Sequence, residues 1–131
     1  MEESKVIQLS ALTLAFIGDS VYTLFVRERA LEIMDAKPNK INNYCKGYVC
    51  ATAQAKAYRK IEGELTEDEK NIAHRARNSH PANKAKNATA ADYMNATALE
   101  ALIGYLHLSG KTERLKYIQH RAMEETDEQS R

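Results

Sequence analysis

The sequence predicts an all-α fold, and three observations carry that prediction. Apolar residues recur at helical spacing along nearly the whole chain, no five-residue stretch alternates as a half-buried strand does, and the breaks coincide with Pro, Gly or capping patterns. The first long helix is expected from Ser10, a hydroxyl N-cap, to about Met34, where Asp35-Ala36-Lys37-Pro38-Asn39 ends it. A second, rich in Ala and Lys, is expected from about Lys40 to Ile61, with Gly63 just beyond its end. Thr66-Glu67-Asp68-Glu69 is a capping-box pattern that opens a short third helix running to about Asn78. Ser79 to Thr89 contains Pro81 and no apolar period, so it reads as a loop. The fourth helix spans about Ala90 to Leu108 and stops at Gly110, and a fifth runs from about Thr112 to Met123. From Glu124 to Arg131 the chain is a polar tail.

With 131 residues the chain has the length of one domain, residues 1–131, large enough to form a core without metal or disulfide support. Hydrophobic residues make up 44%, charged residues 28%, and the formal net charge is +1, so any basic footprint has to be local. The acidic start, Met1-Glu2-Glu3-Ser4-Lys5, lacks an apolar signal core, and no apolar run approaches the roughly 20 residues of a membrane span. The expectation is a cytoplasmic protein. Cys45 and Cys50 have neither zinc-ligand spacing nor a common helical face, which leaves them as reduced thiols. No Ser, Cys and His set suggests a nucleophile, and no Gly-rich phosphate loop is present.

Two carboxylates sit where a folding argument does not want them. Asp19 lies inside the apolar run Leu12 to Tyr22, and Glu100 lies inside Ala98 to Leu106. An isolated buried carboxylate costs several kcal/mol, a large part of the roughly 5 to 15 kcal/mol that stabilises a domain. At about 100 degrees per residue, Thr13, Ser20 and Arg27 mark the polar side of the first helix, while Asp19 groups with Leu12, Ala15, Tyr22 and Val26. Glu100 groups with Tyr93, Ala96, Thr97, Ile103, Gly104 and His107. Gly18 and Gly104 stand near the two acids, and a helix crossing there brings the acids together. Converging carboxylates without a nearby Lys or Arg suit a hard divalent cation such as Mg²⁺, although each could instead reach solvent at its helix edge.

From Lys70 through Ala91 no residue is acidic, while Lys70, Arg75, Arg77, Lys84 and Lys86 are cationic. With Asn78, Asn83 and Asn87 this window has the chemistry of phosphate contacts, and it leads directly into the helix that carries Glu100. A solvated cationic loop has the same composition. His107 and the tyrosines Tyr44, Tyr48 and Tyr58 read first as surface or packing residues.

Together, Leu14-Ala15-Phe16-Ile17-Gly18-Asp19-Ser20-Val21-Tyr22 and Ala96-Thr97-Ala98-Leu99-Glu100-Ala101-Leu102-Ile103-Gly104-Tyr105-Leu106 resemble the ribonuclease III catalytic domain. The closer match is to its short bacterial branch, the mini-ribonucleases III, which lack a separate double-stranded-RNA-binding domain. Lys37-Pro38-Asn39-Lys40, Ala53-Gln54-Ala55 and Arg75-Ala76-Arg77-Asn78-Ser79 extend the resemblance over roughly Leu9 to Leu115. It implies a helical homodimer that uses Mg²⁺ to hydrolyse double-stranded RNA, with maturation of the precursor of large-subunit (23S) ribosomal RNA as its role. Asp19 matches the catalytic aspartate, Glu100 the metal-binding glutamate, and Phe16 the aromatic that enters the partner at the dimer interface. Arg75, Arg77, Asn78, Lys84 and Lys86 fall in the segment that contacts RNA, and a ribosomal protein that presents the substrate is a further partner to test. Full-length ribonucleases III carry two more acids, where this chain has Ala15 and Thr97, as mini forms do. Ala76 replaces a common Gly and is expected to stiffen the entry to the loop. The competing readings are a catalytically silent module that binds structured RNA in ribosome assembly, and a helical bundle for protein interaction.

Overall fold

The computed structural model describes residues 1–79 and 89–124, and helix is the only regular structure among them. The helices are α1 (Glu3–Gln8), α2 (Ala11–Ile33), α3 (Pro38–Val49), α4 (Ala51–Ile61), α5 (Glu67–Asn78), α6 (Ala90–Leu108) and α7 (Thr112–Met123), with a 3₁₀ turn at Glu62–Glu64.

Helix α6 is the axis of the fold because its sequence is apolar or small on every side. Asn95 to Leu99 and Ala101 to Leu106 are all buried, with Glu100 alone half-buried among them. A helix apolar all round has to be enclosed by its neighbours. Helices α2, α4 and α5 pack against it, α3 covers α2, and α7 closes against α4 and α6. The core gathers Leu14, Tyr22 and Val26 of α2 with Leu99, Leu102, Ile103 and Leu106 of α6 and Ile118 of α7.

Helix boundaries follow local chemistry. The Ser10 side chain accepts from the Thr13 N–H at 3.0 Å and opens α2. Thr66 and Glu69 form the expected capping box, and Thr89 caps α6 by accepting from Asp92 N–H. Gly110 turns the chain at φ +70°, a conformation in which glycine carries no Cβ penalty. Arg114 forks onto Glu69 with two 2.8 Å hydrogen bonds and ties α7 to α5. Both cysteines are free, Cys45 buried and Cys50 exposed.

Three expectations change. The helix expected over Lys40 to Ile61 is two helices, broken at Cys50, which is extended at φ −71° and ψ 159°. Neither Pro nor Gly occupies Cys50 itself; the break lets α3 follow α2 while α4 follows α6. Helix α1 was not expected at all: a six-residue helix that hides one apolar side chain, Val6, has little period to read. It is pinned to α6 by Tyr105 Oη donating to Glu3 at 2.6 Å, supported by the Lys111–Glu3 ion pair. Ala76, expected at a loop entry, is buried inside α5. The loop expected between Ser79 and Thr89 lies almost wholly outside the described residues, as does the tail beyond Glu124.

Candidate active site

The site is built where two backbones touch. A Cβ placed on Gly18 would lie 2.6 Å from the Glu100 carbonyl carbon and 2.9 Å from Gly104 N, and one on Gly104 would lie 2.9 Å from the Leu14 carbonyl carbon. Real Cβ atoms do not approach backbone so closely, so only glycine at both positions lets α2 and α6 cross here. The crossing expected from the sequence is present, and it brings the residue after Gly18 and the residue one turn before Gly104 into contact. These are Asp19 and Glu100.

Their environments differ. Asp19 is exposed and Glu100 half-buried. Burial, then the adjacent Asp19 charge and a hydrogen bond with Asp19, push the Glu100 carboxyl up to about 8, with Gln54 pulling weakly the other way. Glu100 therefore keeps its proton at neutral pH, because burial and the neighbouring charge both disfavour its ionised form. The positions that match the further acids of longer ribonucleases III carry no carboxylate here. Ala15 is buried and apolar, and the Thr97 hydroxyl donates to the Tyr93 carbonyl of its own helix at 2.9 Å. No group of three or more His, Cys, Asp or Glu placed to hold a metal ion occurs among the described residues.

Gln54 of α4 completes the site, and it did not stand out in the sequence. It is 2% exposed, flanked on its own helical face by Ala57, Tyr58 and Ile61, all buried. Its side chain reaches Glu100 and favours the ionised carboxylate, while its buried Nε2 falls short of a hydrogen bond of full geometry. The available signal was a polar residue on an apolar helical stripe, the same signal that picked out Asp19 and Glu100. Two converging carboxyl groups beside a buried amide donor fit a hard cation, since Mg²⁺ accepts one or two carboxylates and completes its shell with water.

The basic window divides. Arg75 commits its guanidinium to the chain: Nη1 donates to the Ile7 carbonyl at 2.9 Å and Nη2 to the Leu9 carbonyl at 2.6 Å. It is the strap that fixes the α1–α2 corner to α5. Arg77 is half-buried with its Nε lacking a hydrogen-bond partner, and Asn78 is exposed and pairs with His74 at 3.0 Å. Lys84 and Lys86 lie outside the described residues. His107 is exposed, Tyr58 is buried, and Tyr44 and Tyr48 pack on each other at 5.1 Å. Phe16, on the outer face of α2, is 74% exposed and keeps company with exposed Leu12, Leu24 and Leu31. No helix among the described residues is long and apolar enough to cross a membrane.

Comparison with known proteins agrees with this architecture. The ribonuclease III domain matches residues 12–111. The Mini-ribonuclease 3 of Brevibacillus brevis is 44% identical over 85% of this chain and 83% of its own length. That of Symbiobacterium thermophilum is 42% identical over 84% and 85%. A crystal structure of a Fusobacterium nucleatum protein superposes with a TM-score of 0.78 at 36% identity, covering 86% of this chain and 90% of that one. Neither these relatives nor the described residues point to a ribosomal protein as a partner.

Proposed function

The chain belongs to the ribonuclease III family and is an endoribonuclease of its mini-ribonuclease branch, and from that premise we propose that Asp19 and Glu100 form a Mg²⁺-dependent centre that matures the 23S ribosomal RNA precursor in the cytoplasm. The observation that carries the proposal is the convergence of the two acids over the Gly18–Gly104 contact, with Glu100 driven to hold a proton. Mg²⁺, when bound, supplies the positive charge that activates water and offsets charge developing on the phosphoryl oxygens.

Asp19 and Glu100 hold the cation, and each has a distinct task. Asp19, at the exposed rim, is the first acid that an arriving cation or phosphate meets, while Glu100 anchors the inner side. The product carries a 5′-phosphate. Duplex RNA is recognised by its shape, through phosphates and 2′-hydroxyls, because the deep A-form major groove does not admit side chains. Arg77, Asn78, Lys84 and Lys86 are assigned to the phosphates; the interior bonds of Arg75 give it a supporting role. The functional unit is a homodimer of single-domain chains joined at the α2 face around Phe16, so that two sites address the two strands. Large apolar side chains left exposed along one helix are what an interface between copies covers.

The test is cleavage of a precursor ribosomal RNA duplex by purified protein with Mg²⁺ and with EDTA. Wild type cleaves only with the metal, and Asp19→Asn loses cleavage while retaining its helical circular dichroism. Cleavage by Asp19→Asn at the wild-type rate rules out the assignment.

A further inference from the structure

Gln54 has no account in the fold. Its neighbours on the inner face of α4 are Ala57, Tyr58 and Ile61, and Ala55 beside it is fully buried, so an apolar side chain would suit the packing. An amide donor kept from water without a partner destabilises the chain that carries it. The backbone of Gln54 is fixed, its N–H donating to the Cys50 carbonyl at 2.9 Å. What remains is a rigidly mounted donor beside one carboxylate of the site.

We propose that Gln54 is a positioning residue: its buried Nε2 completes a hydrogen bond to the Glu100 carboxylate when a divalent cation is held between Asp19 and Glu100, and so fixes that carboxylate's orientation toward the cation. The inference rests on the metal-dependent reading given above. The choice of residue type supports it. A Lys or Arg in this place would compete with the cation for the carboxylate, and another acid would add repulsion. A neutral amide donates to the carboxylate and leaves its charge available to the metal. The pull of Gln54 toward the ionised form of Glu100 has the same sense. With no carboxylate at Ala15 or Thr97 and the Thr97 proton committed to its own helix, orientation of Glu100 falls to the third helix at the crossing.

The experiment compares wild type with Gln54→Leu and Gln54→Met, which remove the donor while keeping side-chain bulk. Thermal unfolding of RNA-free protein is followed in EDTA and across a Mg²⁺ titration. Loss of an outer hydrogen bond to a metal ligand weakens metal binding by about 10- to 100-fold. Both variants are therefore expected to need at least about tenfold more Mg²⁺ for the half-maximal rise in Tm, while their Tm in EDTA equals or exceeds that of wild type. These opposite directions distinguish positioning from structural support, which would move both in the same direction. A wild-type Mg²⁺ midpoint in either variant whose EDTA Tm is intact overturns the inference, as does a lowered EDTA Tm in both variants. If wild type itself neither responds to Mg²⁺ nor cleaves RNA, the metal-dependent reading fails and this inference with it. A wild type that responds to Mg²⁺, with variants whose midpoints equal its own, rejects Gln54 alone.

Discussion

Glu100 carries the pH dependence of the metal-free fold. In the folded chain, burial, then the Asp19 charge and hydrogen bond, hold its carboxyl up at about 8, against an ordinary 4.5. Between those values the folded chain binds a proton that the unfolded chain has released, so this contribution to stability is complete below 4.5 and is lost as pH rises through about 8. The urea midpoint in EDTA should fall across that interval, and Glu100→Gln should flatten the fall; a midpoint in wild type that tracks the variant's at every pH contradicts the assignment. At this scale the sequence was legible wherever a charge interrupted an apolar run, which is how Asp19 and Glu100 were found. Gln54 gave the same kind of signal more quietly, as one uncharged polar group among alanines. The fate of Arg75 could not be read, because the carbonyls of Ile7 and Leu9 that capture it belong to a corner more than sixty residues away.

Among the elements, the α2–α6 crossing has the least tolerance. Gly104→Ala drives a methyl into the Leu14 carbonyl of the facing helix, and since backbone cannot rotate aside, the helices have to separate. Over-packing of this kind typically costs about 1 to 3 kcal/mol, and against rigid main chain the upper end is expected, with cleavage falling alongside stability. Denaturant unfolding checks the first and the RNA assay the second. Helix α5 allows a sharper comparison of two arginines on one element. Arg77→Ala should lower the slope of log binding constant against log salt by about one, the signature of one lost phosphate contact. Arg75→Ala should leave that slope alone and instead reduce stability by about 1 to 3 kcal/mol, as hydrogen-bond donors to two carbonyls disappear. Filter binding over a salt series, with urea unfolding beside it, separates them. Helix starts were readable because Ser10 and Thr66 act within one turn of themselves. The α3–α4 break at Cys50 was not, since no local residue demands it and only the diverging paths of the neighbouring helices do.

For the whole molecule, the outer face of α2 carries the assembly prediction. Phe16, Leu12, Leu24 and Leu31 expose apolar area that the fold leaves uncovered. Phe16→Glu should shift wild-type dimer to monomer in sedimentation velocity and reduce cleavage of long duplexes, with the circular dichroism unchanged; a monomeric wild type removes the prediction. The same helix that offers Phe16 outward presents Gly18 inward, so the proposed subunit contact and the carboxylate pair share one rod. At the inner contact, main chain rests on main chain with no side chain between. The spacing of the two acids is thus a constant of the molecule rather than a product of how its core is packed. An engineer could replace much of that core to raise the melting temperature and still find the active centre in register, provided those two positions stay bare.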